Sequence, residues 1–203
     1  MEEKRVLLRR GLRSGRAHGR LPEALATLLR GQELDPRSAA RRNEVAMCYN
    51  WMRQYDKAIA EARKAIELDP NFPQNYVRIG MAQAGKGMYE EAIVELSMAI
   101  KSGQQFPGVR GMLGYVYALA GKRTEAQGVL EEMNGLLQGR FGFAFPIARI
   151  HAALGEKDQA FEWLRKACDE RDSQVIWLKV DPTMDSLRAD PRFIRLKDMG
   201  LPP

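Results

Sequence analysis

Small and apolar residues in this chain fall into columns 34 residues apart. Ala24, Ala58, Ala92, Ala126 and Ala160 form one column, and Gly19, Arg53, Gly87, Gly121 and Gly155 form another just before it. A third, Gly31, Ala65, Ala99, Met133 and Ala167, follows; a fourth, Leu12, Ala46, Gly80, Gly114 and Ala148, stands in the preceding stretch. Coincidence rarely keeps such columns in step five times without an insertion. Small side chains at fixed positions let two antiparallel helices, and then the next pair, approach closely. Each period is therefore read as one helix pair.

The predicted elements follow this frame. Repeat one, 5–38, opens on VLLRRGLRSGRAHGR, where each internal glycine costs about 1 kcal/mol of helix stability relative to alanine. Its second helix starts after Leu21-Pro22, proline being pre-set for a first turn, and closes at Leu34-Asp35-Pro36. Repeat two, 39–72, pairs helices over 39–52 and 56–68, with Asp69-Pro70 as the stop. Repeat three, 73–106, pairs 74–86 with 89–100, and repeat four, 107–140, pairs 109–120 with 124–137. The stretch Gly139–Phe145 reads as a loose lead-in to repeat five, 141–174, with helices over 146–154 and 157–170. Beyond 174 the period fails. Residues 175–203 are predicted to cap the exposed end of repeat five with Trp177, Leu178, Met184, Leu187, Phe193, Ile194 and Leu196.

The pattern of glycine or alanine, an aromatic, then alanine is clearest in Tyr55, Ala58, Ala65 and Pro70, and in Gly80, Gly87, Tyr89, Ala92 and Ala99. It resembles the tetratricopeptide repeat, whose helix–turn–helix unit has this period. The resemblance covers about residues 5–174. It implies an all-α fold: a right-handed solenoid of five helix–turn–helix repeats with a C-terminal helical cap, whose first helices line a groove. Residues 175–203, with AALGEKDQAFEWLRKA before them, resemble the tetratricopeptide tails of bacterial regulatory cyclases, serine/threonine kinases and winged-helix regulators. That implies a bacterial source and does not transfer those proteins' activities. Relatives that clamp a chaperone's C-terminal carboxylate use Lys and Asn on successive first helices. Here Arg9, Arg13 and Arg78 take comparable places, but Glu44 stands where an Asn donor would be wanted.

Composition adds bounds. At 203 residues, 45% hydrophobic and 29% charged, the chain is long enough for one stacked array with a continuous core. No run approaches a membrane span, and the N-terminus lacks a signal-like apolar core. Cys48 and Cys168 fall in repeats two and five, outside disulfide reach in a linear stack, which suits a reducing cytoplasmic compartment. Phosphate-loop, dinucleotide, zinc-protease and nucleophile-elbow motifs are missing, and the two histidines, His18 and His151, make no metal spacing. No enzyme and no cofactor is implied. His151 shares a column with Tyr49 and Tyr117 and is expected to pack its ring between helices.

The functional expectation therefore rests on the groove. One column of first-helix positions reads Arg9, Asn43, Val77, Gly111 and Phe145; the next reads Arg13, Met47, Met81, Tyr115 and Arg149. A third reads Arg16, Asn50, Ala84, Ala118 and Ala152, with Arg78 alongside. Residues three or four apart share a helical face, so these columns form one surface. Guanidinium and amide groups gather at one end, methionine and aromatic contacts at the other. The expected partner is a protein or peptide segment, acidic at one end and apolar at the other. The alternative is nucleic acid or an anionic surface bound through residues 4–20. Seven Lys or Arg against Glu2 and Glu3 give residues 1–20 a charge of +5 out of the chain's +6. That stretch has no aromatic residue for base stacking.

Overall fold

A computed structural model describes residues 21–101, 107–137 and 141–199. The expected first helix of repeat one, with Arg9, Arg13, Arg16 and His18, lies outside them. Ten α-helices and two short 3₁₀ helices make up the described residues, with no strand among them. Helix α1 is Leu21–Leu34. Four helix pairs follow: α2 Ala39–Trp51 with α3 Tyr55–Leu68, and α4 Gln74–Gly85 with α5 Tyr89–Lys101. Then come α6 Pro107–Leu119 with α7 Arg123–Leu136, and α8 Ala144–Ala153 with α9 Lys157–Asp169. The chain continues in 3₁₀ turns at Val175–Trp177 and Pro182–Leu187 and in α10, Pro191–Met199. The helix ends of repeats two to five lie within two residues of those predicted.

The recurrent small residues have two distinct physical causes. Gly87, Gly121 and Gly155 carry φ of 79°, 74° and 78° in the turn inside each pair, where nothing crowds an added Cβ. They are glycines because the turn needs a left-handed residue, not because helices approach there. Arg53 holds the same place in repeat two at φ 58°. Close approach explains the other columns. A Cβ on Gly80 would lie 2.8 Å from Leu96 Cγ, and one on Gly114 would lie 2.5 Å from Ile150 Cδ1. Ala46, Ala58, Ala65, Ala92, Ala99, Ala126, Met133, Ala148, Ala160 and Ala167 are fully buried.

Within each pair the two helices pack together, and each first helix also meets the first helix of the next repeat. The stack changes character at repeat five. Outside its own pair, α8 packs mainly on α6 and only lightly on α7. Gly111 permits this: a Cβ there would lie 2.4 Å from Pro146 Cβ and 2.9 Å from Pro146 Cα. Of the expected loose lead-in, residues 141–145 are described, and Phe143 and Phe145 belong to the core. Helix α8 starts at Ala144, and Phe143 and Phe145 are 5% and 0% exposed, while Phe141 is 77% exposed. Aromatic burial at this junction outweighs the left-handed Gly142 beside it, because a buried Phe contributes roughly 1.5–3 kcal/mol.

The segment after α9 folds back onto repeat five. Leu178, Met184, Leu187, Phe193 and Leu196 join Phe145, Phe161 and Leu164 in one buried cluster. Ile194 is 60% exposed and takes no part in it. Arg192 lies over the Phe161 ring at 4.3 Å and pairs with Asp158 and Asp190.

Two alanine substitutions separate the causes. Gly111→Ala meets backbone atoms of α8 and is expected to destabilise the fold by about 2–3 kcal/mol. Gly128→Ala, on an exposed face of α7 with open space around it, is expected to stabilise by about 0.5–1 kcal/mol. Chemical denaturation of both variants checks the signs.

Candidate functional site

The first helices α2, α4, α6 and α8 lie side by side and build one continuous face. Much of its polarity is spent inside the stack. Asn43 Nδ2 donates to Asn75 Oδ1 at 3.0 Å, and Arg78 Nε donates to Asn43 Oδ1 at 3.3 Å. Asn50 Nδ2 donates to the Arg78 carbonyl at 3.0 Å. Asn43, Asn50 and Asn75 are 5%, 2% and 0% exposed. These bonds tie α2 to α4, so Asn43 and Arg78 act first as a seam between repeats. Val77 and Phe145, from the same expected column, are buried packing residues.

Arg149 is also buried, at 5% exposure, and belongs to the chain's own C-terminal segment. Its Nη2 donates to Asp181 Oδ2 at 2.9 Å and its Nε to Thr183 Oγ1 at 3.0 Å, with the guanidinium 5.3 Å from the Phe145 ring centre. Asp181 Oδ1 accepts from Thr183 N at 3.0 Å and from Thr183 Oγ1 at 2.8 Å. Asp181-Pro182 thus caps the second 3₁₀ helix and neutralises Arg149 at once. Sequence spacing alone puts these residues on different surfaces, because nothing in a non-repeating tail announces that it turns into the groove.

Beside this pair is a cavity of about 330 Å³. Asn50, Met81, Met112, Tyr115 and Leu119 line it from the first helices, Tyr55 from α3, and Pro182, Thr183, Asp185 and Ser186 from the C-terminal segment. Met81 and Tyr115 are half-buried and Met112 is buried; Met47 is half-buried and lies outside the cavity lining. Burial, reinforced by the nearby Asp181 carboxylate, pushes the Tyr115 phenol well above its ordinary value, so it remains a neutral hydroxyl. Asn50 Oδ1 has no hydrogen-bond partner among the described residues. The cavity lining combines apolar side chains with the Asn50 amide, two phenols and the Arg53 and Asp185 side chains.

Arg53 and Asp185 form an ion pair, Nη2 to Oδ2, joining residues 132 apart in sequence. Trp51 and Trp177 lie near it with ring centres 4.8 Å apart and planes tilted by 31°. The first-helix bonds between α2 and α4 described above join neighbouring repeats, at separations of 28 to 35. The C-terminal segment therefore spans from repeat five across the face to repeat two. The sequence pattern sets Trp177 in the cap and Arg53 in a turn; the outlying Arg in a column of glycines is the one signal that marks the spot.

His151 shows a packing role with a polar tip: its side chain is 13% exposed and Nδ1 lies 2.7 Å from Glu156 Oε2. Among the described residues no cluster of three or more His, Cys, Asp or Glu could hold a metal, and no helix is long and apolar enough to cross a membrane.

A linear stack of helix–turn–helix pairs, with first helices side by side along one face, defines a helical-repeat class. Residues 42–72 and 145–173 match the tetratricopeptide repeat family, and the fold is the tetratricopeptide-repeat solenoid. Among solved structures, TTC0263, a thermophilic TPR protein of Thermus thermophilus, is similar at 19% identity, covering 97% of this chain and 98% of its own, with a TM-score of 0.66. A tetratricopeptide repeat protein of Parabacteroides merdae ATCC 43184 is similar at 16% identity, with 96% and 78% covered and a TM-score of 0.63. MamA is similar at 20% identity, with 79% and 94% covered and a TM-score of 0.52. No curated protein matches the chain.

The buried pair predicts an asymmetric response. Arg149→Ala leaves Asp181 buried without its charge partner and is expected to cost about 3–5 kcal/mol. Removing the solvent-screened Lys122–Glu90 pair is expected to leave stability essentially unchanged. Urea unfolding of both variants measures the difference.

Proposed function

We propose that the protein is a non-catalytic interaction scaffold that takes a peptide or helical segment of a partner protein in its concave groove. The observation that carries this reading is the cavity where Asn50, Met81 and Tyr115, from three successive first helices, meet around one space. Its volume of about 330 Å³ is at the lower end of recognition pockets, which suits a few side chains rather than a whole ligand surface. Methionine supplies an adaptable apolar surface, Tyr115 and Tyr55 supply rigid rings with a polar tip, and Asn50 Oδ1 supplies an acceptor for a backbone or side-chain N–H. Anchors of this kind dominate the energy of protein interfaces.

The test begins with peptides selected from a displayed library against the full chain, followed by titration of charge variants. Met81→Glu inserts a carboxylate into the cavity and is expected to weaken the selected peptides by about tenfold or more, that is by about 1.4 kcal/mol. Glu131→Lys, exposed on α7, is expected to leave affinity unchanged. Equal loss in both variants would sink the groove assignment.

A further inference from the structure

The tail lying in the groove has a chemistry of its own. Trp177, Asp181 and Asp185 follow one another at intervals of four residues. Each meets a complementary group on the repeats: Trp177 meets Trp51, Asp181 meets Arg149, and Asp185 meets Arg53. The three contacts are not alike. Arg149 and Asp181 have side chains 6% and 5% exposed, whereas Arg53 and Asp185 are 58% and 33% exposed. An ion pair open to water is screened and holds little, and Trp177 is only half-buried where its ring covers Trp51, itself 6% exposed. The two side chains that reach repeat two are therefore the more open contacts, while Asp181 and its neighbours Leu178 and Met184 are buried against repeat five.

Arg53 marks the repeat-two end as more than a chance contact. Its counterparts in the next three repeats are glycines in the same left-handed region. A side chain there carries a steric cost that glycine does not, and the guanidinium that this residue brings meets the Asp185 carboxylate of the tail. Asp185 is itself held ready, its other oxygen accepting from Arg188 Nε at 2.7 Å. Arg188 in turn donates to the carbonyls of Lys179 and Asp181 at 2.8 and 2.9 Å.

We propose that Trp51 and Arg53 form a docking dyad for an acidic peptide segment bearing an aromatic residue, and that the Trp177 and Asp185 side chains of the tail are its built-in, displaceable occupants. This rests on the groove reading and gives the partner a chemistry: an aromatic ring, then carboxylates spaced along the same segment as in the tail. The partner replaces only the Trp177 and Asp185 side chains, while Asp181 stays on Arg149 and Leu178, Met184 and Leu187 stay in the core. Because the tail competes for the same groups, the unaltered chain binds such a partner with an affinity reduced by the fraction of time the dyad is covered.

The experiment uses the full chain and a fluorescein-labelled synthetic peptide of residues 174–189. Trp177→Ala with Asp185→Asn uncovers the dyad without touching Arg149; Asp185→Asn alone is the milder variant should the double one lose its helical signal by circular dichroism. The uncovered chain is expected to bind the peptide about tenfold or more tighter than the unaltered chain. Adding Arg53→Gly, which suits the left-handed turn, is expected to remove that gain. Equal affinity for covered and uncovered chains, or a gain that survives Arg53→Gly, overturns the proposal. If library-selected peptides bind and are blocked by Met81→Glu while the 174–189 peptide never binds, the dyad falls and the groove reading stands. If neither kind of peptide binds, both fall.

Discussion

Close approach between packed helices is the constraint on which the rest of the molecule depends. Where α6 meets α8, Gly111 and Gly114 leave no room for a Cβ against Pro146 and Ile150. Where α4 meets α5, Gly80 does the same against Leu96. Backbones this near put successive first helices into one wall and turn their outward residues toward a common space. A larger residue at any of these points would separate the helices and open the wall. The groove is thus a consequence of small residues that do not line its cavity.

Polar groups on that wall serve two ends. Asn43, the Oδ1 of Asn75, the Nε and carbonyl of Arg78 and the Nδ2 of Asn50 spend their hydrogen bonds between α2 and α4. Arg149 is taken by Asp181 and Thr183. What remains toward the cavity is a smaller set: Met81, Tyr115, Tyr55, the Oδ1 oxygen of Asn50, and the Arg53–Asp185 pair. A surface that reads from sequence as a graded strip of guanidinium and amide groups is, in the folded chain, an apolar pocket beside two ion pairs.

The fold is largely legible because its signal repeats. Ala58, Ala92, Ala126 and Ala160 occupy equivalent buried places, and periodic burial leaves a periodic sequence. The reason behind one column is hidden: glycine serves both tight crossings and left-handed turns, and only φ separates Gly87 from Gly80. The start of α8 is obscured because the left-handed Gly142 immediately precedes Phe143, and local propensity says nothing of a core waiting to receive two rings. The site is legible in part. Asn50, Met81 and Tyr115 line the cavity, since period and face follow from helix geometry alone. Asn43 and Arg149 cannot be told from open groove residues, because their partners, Asn75 and Asp181, are fixed by packing between repeats and by a tail with no period. The expected groups Arg9, Arg13 and Arg16, and the basic stretch 4–20, lie outside the described residues.

These features make one object of two parts: a wall of first helices set side by side, and a non-repeating tail that both seals the last repeat and reaches across the wall. The measurement that tests this most directly is amide hydrogen exchange of the full chain with and without a library-selected peptide. Slowed exchange over residues 47–55, 78–85 and 112–119, which hold the cavity walls, is the predicted result. Slowing confined to the second helices α5 and α7, with those three stretches unchanged, would contradict it.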